Sequence, residues 1–149
     1  MFKNILIGFI LMSVVAFAKW HYFKPVTEQK LIITNTVILK LQILRQEPKY
    51  YEVPDTSFNG MSPETLRRLS EIQLNKMIDN IIHGIASKPL KRFVLQEFKI
   101  TMNQFEPTDT EDRERFLGYL EEIMDIVGIE STDGLFKRWM YGPILGPFT

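Results

Sequence analysis

The chain has 149 residues, with 18 Lys and Arg balanced by 18 Asp and Glu, two His, no Cys, 45% apolar residues and 24% charged residues. Those values fit one globular domain, and zero formal charge leaves no cationic surplus of the kind phosphate neutralisation needs, so a nucleic-acid binder is disfavoured. The lack of Cys removes disulfides, thiolate nucleophiles and sulfur-ligated zinc from the chemistry open to the chain.

The N-terminus carries Lys3, an apolar or small-residue stretch from Ile5 to Val15, and then Ala16-Phe17-Ala18. A short basic start, an apolar middle and small residues at the two positions a signal peptidase reads are the layout of a secretory signal peptide, with cleavage expected after Ala18. Residues 19–149 are then a single helical domain, near neutral, working in the periplasm or outside the cell. The alternative is a retained single-pass anchor. Only 15 uncharged residues run from Asn4 to Ala18, where a helix crossing the bilayer needs about 20. Trp20, His21, Tyr22 and Phe23 would extend it as an aromatic belt, with Lys19 reaching to the interface. Membrane contact is expected only if this segment stays in place. The remaining chain is long enough to bury about two-thirds of its unfolded surface without covalent staples.

In chain order, Val37, Ile38, Leu41 and Leu44 make a helical stripe over Thr34 to Gln46, started by Asn35 or Thr34, while Leu31-Ile32-Ile33 reads as a short extended piece. Glu47 to Met61 is punctuated by Pro48, Pro54, Asp55, Ser57, Asn59 and Gly60, and reads as an ordered loop pinned by Tyr50, Tyr51, Val53 and Phe58. Ser62-Pro63-Glu64 predicts a helix start with Ser as cap and Pro at the first helical position. Leu66, Leu69, Ile72, Met77, Ile78, Ile81, Ile82 and Ile85 are its expected buried face, to about Ala86. Ser87 is read as the cap of the next helix, with Leu90, Phe93, Val94 and Phe98 inward and fraying near Asn103. Thr108 with Glu111 forms a predicted capping box. Phe116, Leu117, Leu120, Ile123, Met124 and Val127 follow, ended by Gly128-Ile129 in a left-handed turn that folds the Ile back on Met124. Ser131 or Thr132 opens a last helix through Met140, stopped by Gly142-Pro143. Four to five helices with short connections predict an all-α, compact bundle-like domain.

The catalytic chemistry available is thin. His21 lies just past the expected cleavage site and His83 lies on the long helix beside Ile82; no Gly-x-Ser-x-Gly elbow occurs. A di-metal bundle needs Glu-x-x-His on facing helices, which is absent, and so is an Asp-rich calcium loop or a Gly-rich phosphate loop. No cofactor and no metal is expected. A hydrolase would require two carboxyls facing across a concave pocket, one with a raised pKa.

Binding has more to draw on. Lys88 to Gln104 holds four bases and one acid, whereas Glu106 to Asp125 holds eight acids and two bases. Paired with each other, two such helices fix their own register through weak exposed ion pairs; unpaired, the acids steer a cationic partner in a salt-sensitive way. Glu114, Glu121 and Asp125 share one helical face by their spacing of seven and four, with Glu122 beside them. They read either as a solvated face or as a partner-binding patch. Arg138, Trp139 and Tyr141, with Phe136, are residue types that dominate binding hot spots, and equally the types a core lid uses.

Phe93 to Lys99 (FVLQEFK), Gln104-Phe105-Glu106, Asp109 to Arg115 (DTEDRER), Tyr119 to Ile126 (YLEEIMDI), Gly128-Ile129-Glu130-Ser131, Asp133-Gly134-Leu135 and Arg138 to Gly142 (RWMYG) carry a family likeness. In these stretches the chain resembles a family of small bacterial helical proteins known as domain of unknown function 4844, over about Asn35 to Gly142 and most strongly in the second half. The resemblance implies a bacterial all-α domain and brings no catalytic residue with it. The expectation is an exported, non-enzymatic, protein-binding module of inhibitor or immunity type. The alternative is a membrane-tethered structural component of the envelope.

Overall fold

The computed structural model describes residues 28–105 and 109–145. Five helices follow one another: α1 (Asn35–Gln46), α2 (Glu64–Ile85), α3 (Lys91–Gln104), α4 (Thr110–Val127) and α5 (Leu135–Leu145). The expected signal or anchor at residues 1–18, His21 and the Thr108 cap lie outside the described residues. Among those described, no helix is long and apolar enough to cross a membrane.

The extended piece at Leu31 is real and starts the fold. Lys30 bridges Leu90 in antiparallel sense, with the Leu31 amide donating to the Pro89 carbonyl (2.8 Å) and the Lys91 amide to the Gln29 carbonyl (2.9 Å). Alternation follows from this geometry: Leu31 is buried and Ile32 is out in solvent. Thr34 caps α1 by accepting from the Val37 amide, and Leu41 and Leu44 form its buried face. Near the end of α1, Arg45 reaches Asp79 of α2 at 3.1 Å. α2 packs on α1 and α3, and α1 also packs on α4.

α2 departs from its sequence reading in two ways. Its cap is Pro63, whose carbonyl receives the Leu66 and Arg67 amides, and Ser62 makes no cap. The buried face of its first half is Arg67, Ser70 and Leu74, leaving Leu69 57% and Ile72 62% exposed. The cause lies outside the helix. The Lys49 carbonyl of the Glu47–Met61 loop faces this end of α2, and Arg67 donates to it (3.0 Å) where a Leu could not. Beyond Leu74 the periodicity holds, with Met77, Ile78, Ile81 and Ile85 in the core and Ile82 packed on its edge.

Ser87 closes α2 rather than opening α3, its hydroxyl donating to the Gly84 carbonyl at 3.0 Å, and α3 starts from Leu90 without a side-chain cap. Val94 and Phe98 are buried as expected, joined by Thr101 and Met102, while Leu90 and Phe93 are half-buried. The Phe93 ring fills the notch left by Gly84, where a Cβ would sit 2.3 Å from its Cζ. α4 is capped by Asp109, which accepts from the Asp112 amide at 2.9 Å. It ends as predicted, with Gly128 at φ +78° and the Ile129 amide on the Met124 carbonyl. α5 is interrupted at Gly142 (φ +77°), the expected stop, and a further turn follows it.

Candidate functional site

The α4 side chains divide sharply. Asp112, Phe116, Tyr119, Leu120, Ile123, Met124 and Val127 are buried, whereas Glu111, Glu114, Gly118, Glu121 and Asp125 are exposed. Thr110 and Glu122 are exposed as well; Glu111, Glu114, Gly118, Glu121 and Asp125 are spaced three, four, three and four, which lines them up along one stripe of the helix. Glu114 stands between two depressions beside this stripe. A smaller one, about 240 Å³, lies towards the loop, between Val53, Phe58 and the α4 residues Glu111, Arg115 and Gly118. The larger, about 380 Å³, is a groove between α4 and α5 with Leu117, Phe136, Met140 and Tyr141 as its apolar surface and Glu114, Glu121 and Lys137 at its sides.

Both walls are set rigidly from beneath. Trp139 donates from Nε1 to the Met102 carbonyl (3.1 Å), and its ring lies against Phe105 and Phe116 with centroids at 6.1 and 5.6 Å. Phe136 meets Phe98 at 6.1 Å, and Lys91 Nζ holds Asp133 at 2.8 Å just ahead of α5. On the other side of α4, Tyr119 ties down the loop: its hydroxyl accepts from the Tyr50 amide (3.0 Å) and from Arg115 Nε (3.2 Å). Tyr50 is fully buried in a left-handed conformation (φ +62°), packed on Phe105 and Tyr119. Burial, with the nearby Tyr119 and Asp112, pushes its phenol pKa well above the usual range.

Two buried cations complete the loop's anchorage. Lys49 donates to the carbonyls of Leu44 (2.6 Å), Glu47 (2.7 Å) and Arg45 (3.3 Å), so it closes the C-terminus of α1. Burial lowers its pKa. Arg67, 5% exposed, grips Glu64 with two nitrogens (2.6 and 2.8 Å) and Glu71 with a third (2.8 Å). It also reaches the Lys49 carbonyl (3.0 Å) and lies 4.0 Å from the centre of the Tyr51 ring. The hydrogen bond from Arg67 holds the Glu64 carboxyl below its ordinary range.

The candidate residues from the sequence fall into three places. Glu114, Glu121 and Tyr141 meet at the groove, with Tyr141 53% exposed. Asp125 lies further along the stripe, in a depression it shares with Gln29 to Ile32. Trp139 is the anchor under α5, and Arg138 turns back to the Asp133 carbonyl at 3.1 Å, so neither lines the groove. Of the basic helix, Lys91 pairs with Asp133 and Arg92 with Glu28. His83 is exposed, its Nδ1 2.6 Å from the Asp79 carbonyl.

Of the acids, Glu122 has its pKa raised, by partial burial and then by the nearby Glu47. It stands off the groove, whose two carboxyls, Glu114 and Glu121, belong to one helix. Among the described residues no cluster of three or more His, Asp or Glu has the make-up of a metal site. Lys49, Arg67 and Gly118 were not singled out by sequence reasoning. Gly118 had a signal, being a lone Gly inside a strong helical pattern.

The fold is an all-α domain whose exposed stripe and groove lie on its fourth and fifth helices. The chain belongs to the family described as Domain of unknown function (DUF4844), whose pattern it matches over residues 32–143. It is similar to a solved structure of a DUF3571 family protein from Acinetobacter baumannii AYE, at 28% identity and a TM-score of 0.64, over 71% of this chain and 89% of that one. No curated protein matches the chain.

Proposed function

We propose that this is a non-enzymatic binding protein of inhibitor or immunity type, exported from the cytoplasm, whose α4–α5 groove receives an apolar, positively charged segment of another protein. One observation carries the reading: Leu117, Phe136, Met140 and Tyr141 form an apolar recess on a rigid support, bordered by Glu114 and Glu121. Apolar recesses with a few polar groups at the rim are where proteins seat ligands and partner side chains. The acids set the sign of the partner's charge and add speed to its approach more than strength to the complex. Export rests on the layout of residues 1–18.

Capture from an extract of the source bacterium, with the wild-type chain and Leu117→Asp as baits, tests the binding claim. A stoichiometric protein retained by the first and lost by the second is expected, held less well at high salt. Equal capture by both baits, or none by either, contradicts it. Mass spectrometry of the chain recovered from cell fractions tests the compartment: loss of residues 1–18 in a soluble extracytoplasmic fraction is expected. An intact N-terminus in the membrane fraction would instead establish the tethered alternative.

A further inference from the structure

Gly118 lies midway along α4, exposed and in ordinary helical conformation, and a Cβ placed there meets nothing within 4 Å. Glycine in a helix interior is less stable than alanine because the unfolded chain loses more freedom on ordering. Gly84 has an internal reason for its missing side chain, since the Phe93 ring occupies that space. Gly118 has none. Glu111, Glu114, Glu121 and Asp125 extend from it in both directions on the same stripe, with a depression to either side of Glu114.

Resting on the groove reading above, we infer that the partner segment is a cationic amphipathic α-helix laid along this stripe. Its backbone approaches α4 most closely at Gly118, and its Lys or Arg side chains meet the four acids while an apolar side chain enters the α4–α5 groove. The stripe from Glu111 to Asp125 spans two heptads, about 21 Å along the axis, and its alternation of three and four is the period at which a second helix keeps contact. A helix matches that period, and helix-in-groove docking is read through anchors three and four residues apart. A small residue at the crossing point lets two backbones come together where larger side chains would hold them apart. A second copy of this chain is disfavoured, because its own acids would face these.

Titration of the full-length protein with a fluorescently labelled three-heptad peptide, Leu on one face and Lys on the flanks, tests the inference by anisotropy. The Glu-flanked counterpart serves as control. Saturable one-to-one binding of the Lys peptide alone is expected, weakened at least tenfold by Gly118→Leu, by Glu114→Lys with Glu121→Lys, and by high salt. Gly118→Leu points into open space, and a thermal melt at or above that of the wild type shows that it folds. The inference is overturned by equal affinity for Gly118→Leu, by no binding, or by equal binding of the Glu peptide. It is also overturned by a wild-type dimer that Gly118→Leu dissociates, or by peptide binding that appears only once residues 1–27 are removed. A native partner lost with Leu117→Asp yet kept with Gly118→Leu overturns the helix while leaving the groove reading intact.

Discussion

Gly84→Ala and Gly118→Ala are the same chemical change in two helix interiors, and the structure assigns them opposite signs. At Gly118 the new methyl meets no atom within 4 Å, so the full helical preference of Ala over Gly applies, about 0.5 to 1 kcal/mol of added stability. For a chain of this length that is a rise of about 2 to 4 °C in Tm. At Gly84 the same preference is opposed by contact. The Cβ lies 2.3 Å from Phe93 Cζ and 3.1 Å from both Cε atoms, against about 3.5 to 4 Å for carbon atoms at rest. The ring tip must retreat by more than 1 Å or α2 and α3 must part, an overpacking penalty of about 1 to 3 kcal/mol. The net expectation is a loss of up to about 2.5 kcal/mol. Urea unfolding followed by far-UV circular dichroism reads both changes as midpoint shifts at constant slope. Phe93→Leu, which removes the ring tip, should shrink the Gly84→Ala loss in a double-mutant cycle. Gly84→Ala stabilising the protein, or a loss that persists unchanged in the Phe93→Leu background, would refute the packing argument; a destabilising Gly118→Ala would show that the helix itself needs that glycine.

The buried loop anchors yield further expectations. Lys49→Met strips three carbonyls of their charged donor and should lower stability by about 2 to 4 kcal/mol, seen as an earlier urea midpoint. Arg67→Met should lose about 3 to 5 kcal/mol, with Arg67→Lys restoring only part, since a single ammonium cannot match the forked grip on Glu64 and Glu71. Tyr119→Phe orphans the buried Tyr50 amide and should be destabilising by about 1 to 3 kcal/mol in thermal melts. Glu122→Gln should stabilise. A carboxyl raised in the folded state favours the native protein only while protonated, so its ionisation subtracts stability as pH rises from the ordinary carboxylate range through its raised value. The gain, under about 1 kcal/mol for so exposed a group, should be present at neutral pH and vanish in melts below the ordinary carboxylate pKa.

The helices were legible where apolar periodicity and end signals agreed. α4 is the clearest case, with Phe116, Leu120, Ile123, Met124 and Val127 inward and Gly128 turning left-handed as its sequence implies. The first half of α2 was legible only in part, since Leu66 packs against the core but Leu69 and Ile72, at the same helical spacing, face solvent. The Lys49 carbonyl in the loop preceding α2 is met by Arg67 on the inward face, and the helical periodicity of α2 contains no record of that carbonyl. Ser62 and Ser87 show the same limit at helix ends. Each is a good cap by composition, and the caps that formed at the starts of α2 and α3 were Pro63 and Leu90.

The candidate site was half legible. The seven-residue spacing of Glu114 and Glu121 places them on one helical face by sequence alone, and Tyr141 joins them at the groove. Trp139 could be assigned to core or surface only by finding its indole on the Met102 carbonyl. Gly118 gains meaning from the emptiness around it, which no sequence displays.

Hydrogen-exchange mass spectrometry of the full chain, alone and with the protein it captures, tests the central claim most directly. Slowed exchange confined to Glu111–Asp125 and Phe136–Tyr141, abolished with Leu117→Asp, is the predicted result. Protection centred instead on Leu39 and Ile43 of α1 or on Leu69 and Ile72 of α2, or no change on mixing, would contradict it.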